Sequence, residues 1–84
     1  MFQLLTTSDF RKDLEKLEQL IQQRIKDKIK FLNTVENPLT FSTKLKGKNN
    51  FFRFRVGSYR MIFRLEKNRI ILLAVDHRKD IYEE

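Results

Sequence analysis

The spacing of apolar residues changes period along this chain, and each change marks an element. Residues 2–5, FQLL, are short and mostly apolar and read as a strand. Thr6, Thr7 and Ser8 follow as helix-cap candidates, with Thr6 and Asp9 at capping-box spacing and Asp in place of the usual Glu. From Phe10 the period is helical: Phe10, Leu14, Leu17, Ile21, Ile25, Ile29, Leu32 and Val35 recur at three or four residues, with charge on the other face. Asn37-Pro38 stops the pattern, because the residue before proline is steered away from helical backbone. No Gly or Pro interrupts the run. A compact domain of this size is nevertheless better served by a helical hairpin, so a turn is expected near residues 17–20, with the apolar stripe facing a sheet.

The second half alternates instead. Residues 38–42 read as a loop, 43–46 as an edge strand and 47–50, GKNN, as a turn. Residues 51–64, FFRFRVGSYRMIFR, carry the clearest hairpin signal. Phe52, Phe54 and Val56 fall on one face and Arg53 and Arg55 on the other, since successive strand side chains point to opposite sides. Gly57-Ser58 suits a two-residue type II′ turn, whose first position needs positive φ. That turn sets Val56 opposite Tyr59, Arg55 opposite Arg60, Phe54 opposite Met61 and Arg53 opposite Ile62. A second turn at Lys67-Asn68 pairs Leu65 with Ile70, Phe63 with Leu72, Met61 with Ala74 and Arg60 with Val75. Residues 70–75, IILLAV, read as a strand buried on both sides. His77 then shares the face of Arg55 and Arg60. The expected fold is α+β, a single domain over residues 1–84: an N-terminal strand, a helical hairpin and an antiparallel sheet of three to four strands, the helices on one sheet face. Phe52, Phe54, Tyr59, Met61, Phe63, Leu65 and Leu72 should meet the helices.

Charge sharpens the picture. The net charge is +7, yet residues 1–36 hold seven Lys/Arg against six Asp/Glu, and residues 66–84 hold four against five. Residues 37–65 contain Lys44, Lys46, Lys48, Arg53, Arg55, Arg60 and Arg64 and no acid, so this segment carries the whole excess. Arg55 opposite Arg60, with Arg53 beside them, is a like-charge conflict that costs sheet stability. The plain reading is a solvated face whose arginines lie over their own stems. A tight cluster without local acids points further, to a bound polyanion. Chain length limits the core to one small domain. The absence of Cys and the single His77 argue against disulfides and thiolate or His-rich metal sites. No apolar run is long enough for a bilayer, which makes the cytoplasm the default expectation.

Fixed cations, one imidazole and Tyr59 and Tyr82 suit a phosphodiester substrate. Arginines clamp phosphate and stabilise charge developing on its oxygens. RNA brings its own nucleophile, the 2′-hydroxyl. His77 is the natural acid or base, its alternative being a structural hydrogen bond at a strand end. Tyr82 either stacks on a base or packs the tail. Lys44, Lys46, Lys48 and Arg64 are candidates for holding the RNA backbone.

The segments KLKG at 44–47, FRFRVGSYRMIF at 52–63 and HRKDIY at 77–82 resemble the RelE/ParE superfamily of toxins from type II toxin–antitoxin modules. The resemblance covers nearly the whole chain. Likeness to the RelE branch implies a metal-independent endoribonuclease that cuts mRNA in the ribosomal A site by 2′-hydroxyl attack, with no cofactor. By position, the family's two basic residues before the hairpin turn match Arg53 and Arg55, the arginine after it Arg60, the C-terminal arginine Arg78 and the late tyrosine Tyr82. His77 adjoins this set. Where the best-known pattern has lysines, this chain has Arg53 and Arg55, and arginine is a poor base because it stays protonated. Likeness to the ParE branch implies instead a DNA gyrase inhibitor without hydrolytic chemistry, and a third alternative is a member that binds without cutting. All three imply an acidic, partly disordered antitoxin as partner, and none a membrane. Arg55 and Arg60 are expected to be exposed.

Overall fold

Thr7, at the junction of the first strand and the first helix, shows how the two halves of the chain are tied together. Its hydroxyl accepts from the Phe10 N–H at 3.1 Å, capping the helix, and donates to the Leu72 carbonyl at 2.9 Å. Thr7, rather than Thr6, is therefore the cap. The Thr6 hydroxyl accepts from Arg11 at 2.8 Å.

The structure, a computed structural model, describes residues 1–77. Its elements run β1 (Gln3–Thr6), α1 (Ser8–Glu15), α2 (Gln19–Thr34), a 3₁₀ turn (Pro38–Phe41), β2 (Ser42–Lys44), β3 (Phe51–Val56), β4 (Tyr59–Glu66) and β5 (Arg69–His77). The strands form one sheet in the order β1-β5-β4-β3-β2. β2 to β5 make an antiparallel meander, and β1 lies parallel to β5 at the edge. The α+β class, the helical hairpin and the four antiparallel strands agree with the sequence; the parallel edge makes the sheet mixed. Residues 38–42, read as a loop, contain the 3₁₀ turn, started by Asn37 accepting from the Leu39 N–H at 3.1 Å.

The two helices separate without Gly or Pro because their ends are satisfied locally. The Lys16 N–H reaches the Asp13 and Leu14 carbonyls, and the Gln22 side chain donates back to the Leu17 carbonyl at 2.9 Å. Both helices cover one sheet face. Phe10 and Leu14 of α1 and Ile25 and Leu32 of α2 are buried against Phe54, Met61, Phe63, Ile70, Leu72 and Val75. Phe63 stacks on Phe54, with ring centroids 4.5 Å apart, and on Phe52 at 5.4 Å. No helix among the described residues is long and apolar enough to cross a membrane.

The β3–β4 hairpin has the register expected from its turn, including Arg55 opposite Arg60, and Gly57 has φ +60°. The β4–β5 register agrees from Glu66 to Phe63 and then slips: Ile62 pairs with Ala74, Met61 with Val75, Arg60 with Asp76 and Tyr59 with His77. Leu73 is the extra residue of a β-bulge. The slip keeps Val75, which is buried, on the helix side instead of the smaller Ala74. Two additional buried carbons favour that arrangement by about 1.5 kcal/mol. β5 is consequently not buried on both sides: Ile70, Leu72 and Val75 are buried, whereas Ile71, Leu73 and Ala74 are half-exposed. Past Leu72, where β1 ends, the Val75 N–H donates to the Asp13 carboxylate at 3.1 Å. That bond fixes the last stretch of β5 against α1.

Candidate functional site

The sheet face away from the helices collects the odd-numbered residues of β3 and the even-numbered residues of β4. Arg55 and Arg60 face each other across the strands, Arg53 lies opposite Ile62, and Phe51 opposite Arg64. Arg55 is exposed, Arg53 half-buried, and Arg60 only 6% exposed. Arg60 thus departs from the expectation of an exposed residue. It lies near the hairpin tip but on β4, which has β3 on one side and β5 on the other, so its long stem is enclosed, while Arg55 on β3 stands near the edge. β2 pairs with β3 only as far as Phe54, leaving Arg55 next to an open margin.

At that margin a shallow groove of ≈ 470 Å³ runs between α2 and the hairpin tip, lined by Arg24, Asp27, Lys28 and Phe31 together with Arg55, Val56 and Gly57. Phe31 meets Phe41 edge to face, with centroids 5.2 Å apart, and the Lys28 ammonium lies 5.7 Å from the Phe31 ring. Arg55 therefore borders both the open sheet face and this second cationic, partly aromatic surface.

The bulge changes which β5 residue joins the arginines. His77, expected beside Arg55 and Arg60, lies on the helix side opposite Tyr59, its ring edge-on at 5.1 Å between centroids. Asp76 takes the place across from Arg60. The segment 37–65 has no acid of its own, but the fold brings one in from β5, so the like-charge pair is not left without a counter-charge. A signal was present in the sequence: keeping both Leu72 and Val75 in the core requires one extra residue between them, and that residue moves Asp76 onto the other face.

The remaining candidates are spread out. Arg64 shares the arginine face, but four residues of strand from Arg60 amount to about 13 Å, and its guanidinium pairs with Glu66 at 3.2 Å. Glu66 also meets Arg69 at 3.8 Å. Lys44 is exposed and pairs with Phe52, which puts it on the helix side, while Thr43 is the β2 residue beside Arg53. Lys46 and Lys48 are exposed in the β2–β3 connection. The three lysines therefore do not join the Arg55–Arg60 pair in one cluster. Arg78 and Tyr82 lie outside the described residues.

Comparison with known proteins agrees with this architecture. Residues 4–82 match the family described as the ParE toxin of the type II toxin–antitoxin system parDE. The chain is 34% identical over 83 residues to Toxin RelE3 of Methanocaldococcus jannaschii, covering 95% of this chain and 94% of that protein. It is similar to the toxin in the RelB–RelE antitoxin–toxin complex from Methanococcus jannaschii, with a TM-score of 0.77 and 34% identity over 93% of this chain and 94% of the other. The RelBE2 toxin–antitoxin complex from Mycobacterium tuberculosis gives a TM-score of 0.74 at 27% identity, covering 92% and 91%. A full-length match to the family and a close relative of nearly equal length lead to one conclusion: this chain belongs to the RelE/ParE superfamily and is the toxin of a type II toxin–antitoxin system.

Proposed function

We propose that this toxin is a metal-independent endoribonuclease that cuts mRNA on the ribosome by attack of the 2′-hydroxyl on the adjacent phosphate. The observation that carries the reading is the cross-strand pair Arg55–Arg60 with Arg53 beside it on the sheet face that the helices leave open. Two arginines side by side across the strands, one exposed and one largely buried, bring two fixed charges to a phosphodiester, the arrangement that stabilises a pentavalent, extra-charged transition state. Because the nucleophile belongs to the RNA, the protein has to align it and manage protons. Identity of 34% to a protein of the RelE name supports this branch. Arg78 and Tyr82 are assigned, by resemblance, to the substrate phosphate and base. An acidic antitoxin is the partner that would silence the toxin, in keeping with the RelB–RelE complexes among its structural relatives.

The match to a ParE family supports a second reading, inhibition of DNA gyrase by binding. Primer extension on a defined mRNA in purified translating ribosomes separates the two. The ribonuclease reading expects new 5′ ends within the A-site codon. Absence of cuts combined with inhibited gyrase supercoiling would replace it with the second.

A further inference from the structure

We propose that Asp76 is the general base of this site, a role that rests on the ribonuclease reading above. The bulge at Leu73 turns Asp76 onto the open sheet face directly across from Arg60. Directly opposed residues in an antiparallel pair have Cβ atoms about 5 Å apart, and Arg55 is the next residue along the same row. Asp76 is half-exposed, so a substrate can touch it.

The chemistry of the face calls for such a group. Arg53, Arg55, Arg60 and Arg64 are donors only and cannot take a proton. His77 faces the other way, against Tyr59. Glu66, the other carboxylate on these strands, lies opposite Arg69 at the far end of the hairpin, away from Arg55 and Arg60. Among the described residues, Asp76 is thus the carboxylate that the fold sets beside the Arg55–Arg60 pair. A phosphate held by Arg55 at the surface carries its ribose 2′-oxygen only one linkage away, within the span from Arg55 to Asp76.

The step balances as follows. The Asp76 carboxylate takes the proton of the 2′-hydroxyl as O2′ forms a bond to phosphorus. The bond from phosphorus to O5′ breaks, and O5′ leaves with its electron pair and takes a proton from water. The hydroxide so formed receives the proton held by Asp76, restoring the carboxylate. The products are a 2′,3′-cyclic phosphate and a 5′-hydroxyl end. Arg55 neutralises the phosphate oxygens, while Arg60, largely buried beside it across the strands, holds positive charge in place through the reaction.

The test uses the full chain with programmed ribosomes under single-turnover conditions, reading both rate and product ends. Asp76→Asn keeps the shape and an acceptor oxygen but little basicity, and should slow cleavage about 10²- to 10⁴-fold with an unchanged melting temperature. Asp76→Glu should retain measurable cleavage. Asp76→Ala should be inactive and regain cleavage on addition of sodium formate, which a residue that merely positions Arg60 would not show. An Asp76→Asn rate equal to wild type, or no rescue of Asp76→Ala by formate, would overturn the assignment while leaving the ribonuclease reading intact. A wild-type protein that yields no cyclic-phosphate ends would remove both.

Discussion

The β3–β4 hairpin has two faces made from the same fourteen or so residues, and they obey opposite rules. On the helix side Phe52, Phe54, Met61 and Phe63 pack into a continuous apolar layer with stacked rings. On the other side Arg53, Arg55, Arg60 and Arg64 occupy the alternate positions. The first face repays burial with each added carbon. The second sets Arg55 opposite Arg60, a like-charge pairing that costs sheet stability, and β5 offsets it by placing Asp76 on the other side of Arg60. The proposed site lies on this second face, where sequence choices conflict, as expected of a functional surface.

Substitutions on the two faces should therefore separate stability from activity. The largest stability effect is expected at Phe63, buried between two rings: Phe63→Ala should lose about 3 to 5 kcal/mol in urea denaturation. A loss below 1 kcal/mol would mean that this layer does not carry the fold. Arg60 tests the border between the faces. Being buried, it should lose roughly 1 to 3 kcal/mol as Arg60→Ala, along with cleavage, whereas a variant as stable as wild type would return Arg60 to the exposed class. Thr7→Val removes both the helix cap and the bond to the Leu72 carbonyl and should cost about 1 to 2 kcal/mol, with ribosomal cleavage retained once the protein is folded. The smallest change is expected at His77. Because its ring lies against Tyr59 on the helix side, His77→Ala should lose about 0.5 to 1.5 kcal/mol of ring contact and alter the cleavage rate less than about threefold. A hundredfold loss would bring His77 back into the chemistry.

What could be read from the sequence divides along the same lines. The β3–β4 register was legible because a local signal, Gly57-Ser58, sets it and strict alternation on both sides confirms it. The β4–β5 register was legible only near its own turn. Farther out, residues 70–75 are apolar without a break, so periodicity has no purchase there, and the choice between Ala74 and Val75 is made by packing against the helices. That choice exchanged His77 for Asp76 on the arginine face. Among the cap candidates Thr6, Thr7 and Ser8 the sequence could not choose, and its capping-box spacing pointed to Thr6: Thr6 and Thr7 are chemically equivalent, and the Leu72 carbonyl, 65 residues away, selects Thr7. The pairing of β1 with β5 joins the two ends of the chain and left no local trace. Lys44, Lys46 and Lys48 looked like one basic segment with the arginines because they are close in sequence, but strand alternation and the β2–β3 connection disperse them.

The division of labour between the faces is tested most directly at Arg55, the exposed member of the pair. Arg55→Ala should be measured in parallel by thermal melting and by ribosome-dependent mRNA cleavage. The account predicts stability within about 0.5 kcal/mol of wild type and cleavage slower by about 10²- to 10³-fold. Wild-type cleavage by a folded Arg55→Ala protein would contradict it and move the functional surface away from the open face of the sheet.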